Sequence, residues 1–222
     1  KEVQATYGFV MQIYFIFIVI ANALTVGTVS VVSRLFTSGN QDELNQTIFS
    51  SLVSAVAAGM VLATAGMLFT PEIINILNIP PELKPLCIPL TKIYAAGLLF
   101  HYVLINGNGI LRSCNMIKSS LKTMALVCVI NIGLNFFYVF HTPLSFRGIA
   151  LATASSVFIG SIINLTWVRR VMTRMKGFSV IPLKKIVRIG WPMGLLQVLW
   201  QLSSMVLFLI LSALPEHKVE TL

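Results

Sequence analysis

Charge is what this chain has least of. Asp, Glu, Lys and Arg make up 10% of its 222 residues, against 56% hydrophobic residues and a mean hydropathy of +0.87. That leaves too little polar surface to enclose a water-soluble core, so the chain reads as an integral membrane protein. Acidic groups are scarcer still. The seven of them, Glu2, Asp42, Glu43, Glu72, Glu82, Glu216 and Glu220, all fall in loops or at helix ends. A carboxylate at mid-membrane costs about 2.5 to 3.5 kcal/mol on insertion scales and is kept where it binds ions or protons. No such group is on offer here. Cysteine is limited to Cys87, Cys114 and Cys128. Their odd count and the absence of CxxC or Cys/His spacing argue against a disulfide framework, and all three are expected to be reduced, packed apolar residues. HExxH, GxSxG, a Walker A motif and an intramembrane Asp pair are also absent, so the chain is not expected to be an enzyme. The formal charge of +9 comes without a nucleic-acid motif, and nucleic acid is not an expected partner.

What the chain does have is long apolar runs, of which a spanning helix needs about 20 residues. Six charge-free windows reach that length: Val3 to Ser33, Leu44 to Pro71, Ile93 to Leu111, Thr123 to Phe146, Gly148 to Val168 and Ile189 to Pro215. The window from Ile73 to Pro89 fails, because Glu82 and Lys84 interrupt it and Pro80, Pro81, Pro85 and Pro89 break a buried helix. It is expected to be an external loop. Eleven basic residues follow windows one, three and five, against five in the other segments. This bias places the loops at 34–43, 112–122 and 169–188 on the cytoplasmic side of a multi-pass protein of the plasma (inner) membrane. The stretch Arg169 to Arg188 alone holds seven positive charges and no acid, as expected of a segment held on the negative face of a bilayer. Lys1-Glu2 leading straight into an apolar run suits a membrane helix better than a signal peptide, and the missing Met hints at further chain upstream. Glu2 to Thr6 align loosely with Lys218 to Leu222, which suggests a repeat of roughly 216 residues.

Chemistry inside the bilayer must then rest on amides, hydroxyls and one histidine. Gln12, Asn22, Asn106, Asn108, Asn131, Asn135, Asn164, Gln197 and Gln201 all lie within windows. Each must face another helix or a watery cavity, and helix-to-helix hydrogen bonding is the simpler reading for any one of them. Asn131 and Asn135 stand four apart, which puts both on one helix face, where two carbonyl oxygens can ligate a small cation. The next helix opens with GIALATASS, Gly148 to Ser156. Thr153 there either adds a hydroxyl to that pair or bonds its own backbone. His101 either relays protons or, as its lack of an acidic neighbour favours, is neutral and satisfied by a partner. Gly190-Trp191-Pro192-Met193-Gly194 predicts a kink or a close helix crossing. Gln197 and Gln201, also four apart, line a pathway or bond a neighbouring helix. The sequons at Asn45 and Asn164 fall on the cytoplasmic side or within a helix and are not expected to be glycosylated.

Taken together, SRLFTSGNQDE (Ser33 to Glu43), NGNGILRSCNMIKSSL (Asn106 to Leu121), NIGLNFFYVF (Asn131 to Phe140), RGIALATASS (Arg147 to Ser156) and WPMGLLQVLWQLSS (Trp191 to Ser204) resemble the multidrug and toxic compound extrusion (MATE) family. The resemblance covers almost the whole chain. It implies an all-α, polytopic membrane bundle of about six transmembrane helices. Residues 1–168 would be helices two to six of a first lobe, residues 169–188 a basic inter-lobe linker and residues 189–222 the first helix of a second lobe. It implies a secondary antiporter that exports small organic cations or drugs as sodium or protons enter, monomeric when full length and in contact with membrane lipid. No cofactor other than the coupling ion is implied. In the family a cation site combines an Asn, an Asn or Asp four residues on, and a Thr of the next helix, which match Asn131, Asn135 and Thr153. The family's essential acid lies on helix one, outside this chain. Asn rather than Asp at 135 makes direct proton binding there less expected. Gln197 and Gln201 are the candidates for the substrate cavity. A lipid-linked oligosaccharide flippase or polysaccharide exporter of the same superfamily, expected to carry more cavity Lys and Arg, and a membrane scaffold without transport, are the alternatives. Half a transporter is not expected to carry out coupled transport by itself. Neutralising Lys184, Lys185 and Arg188 together should disturb insertion topology before ion affinity. Reporter fusions that keep their orientation while sodium binding falls would contradict that.

Overall fold

The computed structural model describes residues 2–76, 79, 81–174 and 177–213. Lys176 of the basic stretch, Pro80, the end of the sixth window and the 218–222 half of the internal echo lie outside the described residues. Every described element is an α-helix: α1 (Glu2–Ser38), α2 (Gln41–Leu68), α3 (Thr70–Ile76), α4 (Lys84–Ser113), α5 (Ile117–Phe140), α6 (Arg147–Val171) and α7 (Val180–Ala213). Five of them, α1, α2, α4, α5 and α6, are long and apolar enough to cross a membrane. The sixth window lies within α7, a helix of 34 residues, as far as Ala213.

The helices run past the apolar windows at nearly every boundary, because a charge-free window marks hydrocarbon rather than helix. At 37 residues, α1 is roughly 55 Å long against a hydrocarbon core of about 30 Å. Two of the expected cytoplasmic loops therefore shrink to tight turns, with Arg34, Arg112, Lys118 and Lys122 on helices. Between α1 and α2 the break is Gly39 and Asn40. Gly39 takes φ +73°, which a glycine adopts without a Cβ penalty. Asn40 caps α2 by accepting from the Glu43 backbone N–H at 3.2 Å, and Asp42 and Glu43 in the first turn suit the positive end of the helix dipole. Between α4 and α5, Met116 N–H returns to the Leu111 carbonyl at 2.8 Å, with Asn115 at φ 60°. The expected external loop is also partly helix. α3 occupies its start, and α4 begins at Lys84 with Pro85 in the first turn and Pro89 inside. Proline is tolerated in a first turn because its missing N–H would have had no partner there.

α4 is the centre of the bundle and packs against α1, α2 and α6, while α5 lies outside against α6. Two apolar clusters hold the two ends. One gathers Val10, Ile13, Leu90, Tyr94, Leu98 and Tyr102 with Ile74 and Ile79. The other joins Val32 of α1, Leu44 and Ile48 of α2, Ile110 and Leu111 of α4 and Val168 of α6. The second cluster brings the basic turns to one end of the molecule. α5 leaves Leu121, Val129, Ile132 and Phe136 exposed, an apolar outer surface suited to lipid. Cys128 shares this exposure, so only Cys87 and Cys114 are packed as expected.

The basic stretch 169–188 is not a loop throughout. Residues 169–171 end α6, and α7 starts at Val180, nine residues before the apolar window. The connection is strapped to α2. The buried Asn45 accepts from the Thr173 N–H at 3.2 Å and donates to the Thr173 hydroxyl at 2.9 Å, and the Ser179 N–H donates to Ser50 Oγ at 3.0 Å. Lys185 pairs with Glu43 at 3.0 Å. Beyond it α7 lies along α1 at backbone distance. A Cβ on Gly27 would sit 2.0 Å from the Ile186 carbonyl oxygen, and one on Gly190 would sit 2.1 Å from that of Ala23. Of the two outcomes GWPMG allowed, the structure has the close crossing. Gly27→Leu should therefore separate α1 from α7. Overpacking of this kind costs about 1 to 3 kcal/mol, read as a lower unfolding temperature. An unchanged unfolding temperature would disprove the crossing.

Candidate functional site

The amide pair on α5 meets α6 where both helices carry small residues. A Cβ on Gly160 of α6 would lie 2.2 Å from Val127 of α5, and one on Gly148 would lie 2.7 Å from Tyr138. At this approach short side chains reach across the contact. Asn135 Nδ2 donates to Asn131 Oδ1 at 2.9 Å. Asn131 Nδ2 donates to Ser156 Oγ at 3.2 Å and, more weakly, to Thr153 Oγ1 at 3.4 Å. Thr153 and Ser156 give their own protons to the backbone carbonyls of Ile149 and Thr153 at 3.0 and 2.9 Å. Asn135 Oδ1 is buried without a hydrogen-bond partner.

Asn131, Asn135 and Thr153 are thus brought together as a polar cluster within one apolar helix pair. Thr153 does both things allowed for it, bonding its own backbone and joining the cluster. Ser156 is a member that spacing alone did not single out, although its position three residues after Thr153 puts it on the same helix face. Tyr94 of α4 extends the cluster inward, since its hydroxyl interacts with Thr153 and donates to the Tyr7 hydroxyl at 3.3 Å. The cluster is neutral. It presents oxygens that suit a hard cation and no carboxylate. Among the described residues no group of three His, Cys, Asp or Glu side chains is placed to hold a metal.

Gln197 and Gln201 form a second and separate polar place, because α7 contacts α1 and α2 but not α5. Gln201 Nε2 donates to Gln12 Oε1 of α1. Gln197 Oε1 is buried and unpartnered. Both glutamines line a cavity of about 300 Å³ with Phe15, Ile18, Asn22 and Trp200. Gln201 bonds a neighbouring helix while both line a pathway, so the two readings of this pair coexist. His101 is taken by the simpler of its two: Nδ1 bonds the Tyr14 hydroxyl, with the rings 5.7 Å apart. The sequon residues Asn45 and Asn164 are buried.

Residues 1–137 match the family model MatE, which is more than half of the chain. The chain belongs to the MatE family. Among solved structures, the MatE chain is similar to an inward-facing multidrug resistance MATE transporter of the MOP superfamily. The identity is 23% and the TM-score 0.87, with 95% of this chain and 50% of the other covered. An outward-facing MATE transporter matches at 23% identity and TM-score 0.81, covering 87% and 45%. A MOP superfamily transporter from Pyrococcus furiosus, for which a reversed polarity of the binding pocket suggests a different function, matches at 22% and 0.81, covering 89% and 45%. The chain therefore spans about half the length of the solved structures it matches. No curated protein matches it significantly. These likenesses give the MatE chain its all-helical transporter fold. The Gln12–Gln201 contact is a direct side-chain hydrogen bond between α1 and α7. A double-mutant cycle with Gln12→Leu and Gln201→Leu should give a coupling of about 0.6 kcal/mol, the average for polar pairs inside membrane proteins. Additive effects in thermal unfolding would show that the bond contributes nothing.

Proposed function

We propose that this MatE chain is the helix-two-to-seven part of a secondary efflux antiporter, in which sodium or proton entry drives export of small organic cations by alternating access. The observation that carries the reading is the buried, unpartnered Oδ1 of Asn135 beside the oxygens of Asn131, Thr153 and Ser156. A buried acceptor without a donor is costly, and a cation with oxygen ligands relieves it. A neutral set of oxygens fits sodium better than a proton, which needs a basic atom to hold it. These side chains would orient the ion, and the balancing negative charge would come from outside residues 1–222.

The cavity between α1 and α7 supports the substrate half of the proposal. It joins the free Gln197 Oε1 to the aromatic faces of Phe15 and Trp200 and, among the described residues, holds no charged side chain. Aromatic faces and an amide oxygen attract organic cations. The lack of Lys and Arg in that lining weighs against the lipid-linked oligosaccharide flippase. In the proposed setting the turns at 39–40, 114–116 and 172–179 face the cytoplasm of the inner membrane, the full-length protein is a monomer, and residues 1–168, 169–188 and 189–222 serve as first lobe, linker and start of the second lobe.

The test is dye export from cells or vesicles carrying the full-length protein under an imposed sodium or proton gradient. Asn135→Leu should lower ion-driven export by about 10-fold or more, the factor for one lost ligand-type interaction of about 1.5 kcal/mol. Gln197→Leu should weaken substrate affinity and leave the ion dependence in place. Full gradient-driven export by Asn135→Leu would remove the ion site, and gradient-independent export by the native protein would remove the antiport.

A further inference from the structure

The basic end of the bundle holds a cavity whose lining shares no residue with the two polar places described above. It measures about 460 Å³ and lies between the starts of α2 and the end of α6, lined by Phe49, Leu52, Leu165, Val168, Arg169, Met172, Thr173 and Arg174. Its lining is graded. Phe49, Leu52 and Leu165 belong to the apolar parts of two membrane-length helices, and Leu165 is exposed on the outer surface. Arg169 and Arg174 stand at the other end, where α6 finishes and the chain leaves the span.

The polar end is built and held in place. Buried Asn45 fixes Thr173 through two hydrogen bonds, so the chain turns where Arg174 comes to share one cavity with Arg169. Arg170, between them, is committed elsewhere, with its guanidinium 4.5 Å from the Trp167 ring. Glu43, at the nearby start of α2, is paired with Lys185 at 3.0 Å. Neither Arg169 nor Arg174 forms an ion pair among the described residues. Two exposed guanidiniums over an apolar groove ask for a ligand with an anionic head and a hydrocarbon tail.

We propose that the groove between α2 and α6 binds an anionic phospholipid, its phosphate held by Arg169 and Arg174 and an acyl chain lying along Phe49, Leu52 and Leu165. Guanidinium forks pair with phosphate oxygens, and basic pockets between helices at this end of a membrane protein are suited to anionic headgroups. Because Thr173 begins the strap that leads into α7, an occupied groove would brace α6, α2 and the start of α7 together. The lipid is then a structural partner of the inter-helix connection and leaves the polar cluster around Asn135 untouched.

Native mass spectrometry of the full-length protein in neutral detergent, titrated with dioleoylphosphatidylglycerol or dioleoylphosphatidylcholine, tests this. Two arginines at the surface correspond to a preference of about 30-fold for phosphatidylglycerol. The pair Arg169→Gln and Arg174→Gln should bring it close to parity, while Lys118→Gln with Lys122→Gln, exposed at the same end, should leave it in place. A preference that survives loss of both arginines overturns the proposal. So does equal loss in the lysine variant, which would mean diffuse surface charge. Inorganic phosphate that displaces the lipid and raises the unfolding temperature as much as the lipid does would make this a phosphate site, and would overturn it as well.

Discussion

An amide inside hydrocarbon has to find a partner, and three amides around one turn of α4 bond neighbouring helices, Asn106 and Asn164 through their nitrogens alone. Asn106 donates to Ser51 of α2 at 2.6 Å, and Thr28 of α1 donates to the same hydroxyl at 3.2 Å. Asn108 accepts from Ser120 of α5 at 2.9 Å, and Asn164 of α6 donates to the Leu104 carbonyl at 3.3 Å. Three helices, α2, α5 and α6, are tied to α4 within about one and a half turns, and α1 joins through Ser51 of α2. The hydrophobic effect does not drive helices together inside a bilayer, because lipid tails are as apolar as leucine, and packing and hydrogen bonds decide instead. These bonds name the neighbours and the register. The glycine after each α4 asparagine leaves the room for this: a Cβ at Gly107 would strike Asn164, and one at Gly109 would strike Thr25.

The same economy of side-chain size governs α7. Gly27, Gly190 and Gly194 bring it close against α1, so the helix after the basic connection packs onto α1 and, to a lesser extent, α2. The connection is held at Thr173 and Ser179 by Asn45 and Ser50. The exposed Lys185–Glu43 pair adds little on its own.

The polar groups divide between structure and chemistry. Asn106, Asn108, Asn164 and His101 are engaged by other helices. Asn135 and Gln197, like Asn106 and Asn164, each keep a buried oxygen without a partner; what sets the first two apart is that Asn135 sits beside the oxygens of Asn131, Thr153 and Ser156 and Gln197 lines a cavity. They lie on helices that do not touch, so an ion and a substrate held at these two places would communicate through the helices between them.

Much of this was legible in the chain. Six apolar windows mapped onto six long helices, because the length of a hydrocarbon crossing is a physical constant that composition must respect. The spacing of Asn131 and Asn135 put them on one face, and the SRLF, NGNG and RGIALATASS motifs pointed to the family. Helix ends were not legible, since Arg34, Arg112 and Lys118 continue a helix as readily as they end one. Nor was the fate of individual amides: His101 settling on Tyr14, Asn45 strapping Thr173, Ser156 joining Asn131. By itself the sequence determined that the chain is a membrane bundle, how many long helices it has and which polar residues must be paired, because burial of polar groups in hydrocarbon is penalised wherever they stand. Only the tertiary structure decided which pairs form, where Arg169 and Arg174 share a groove and which oxygens are left over, because those outcomes depend on distances between helices that no local pattern encodes.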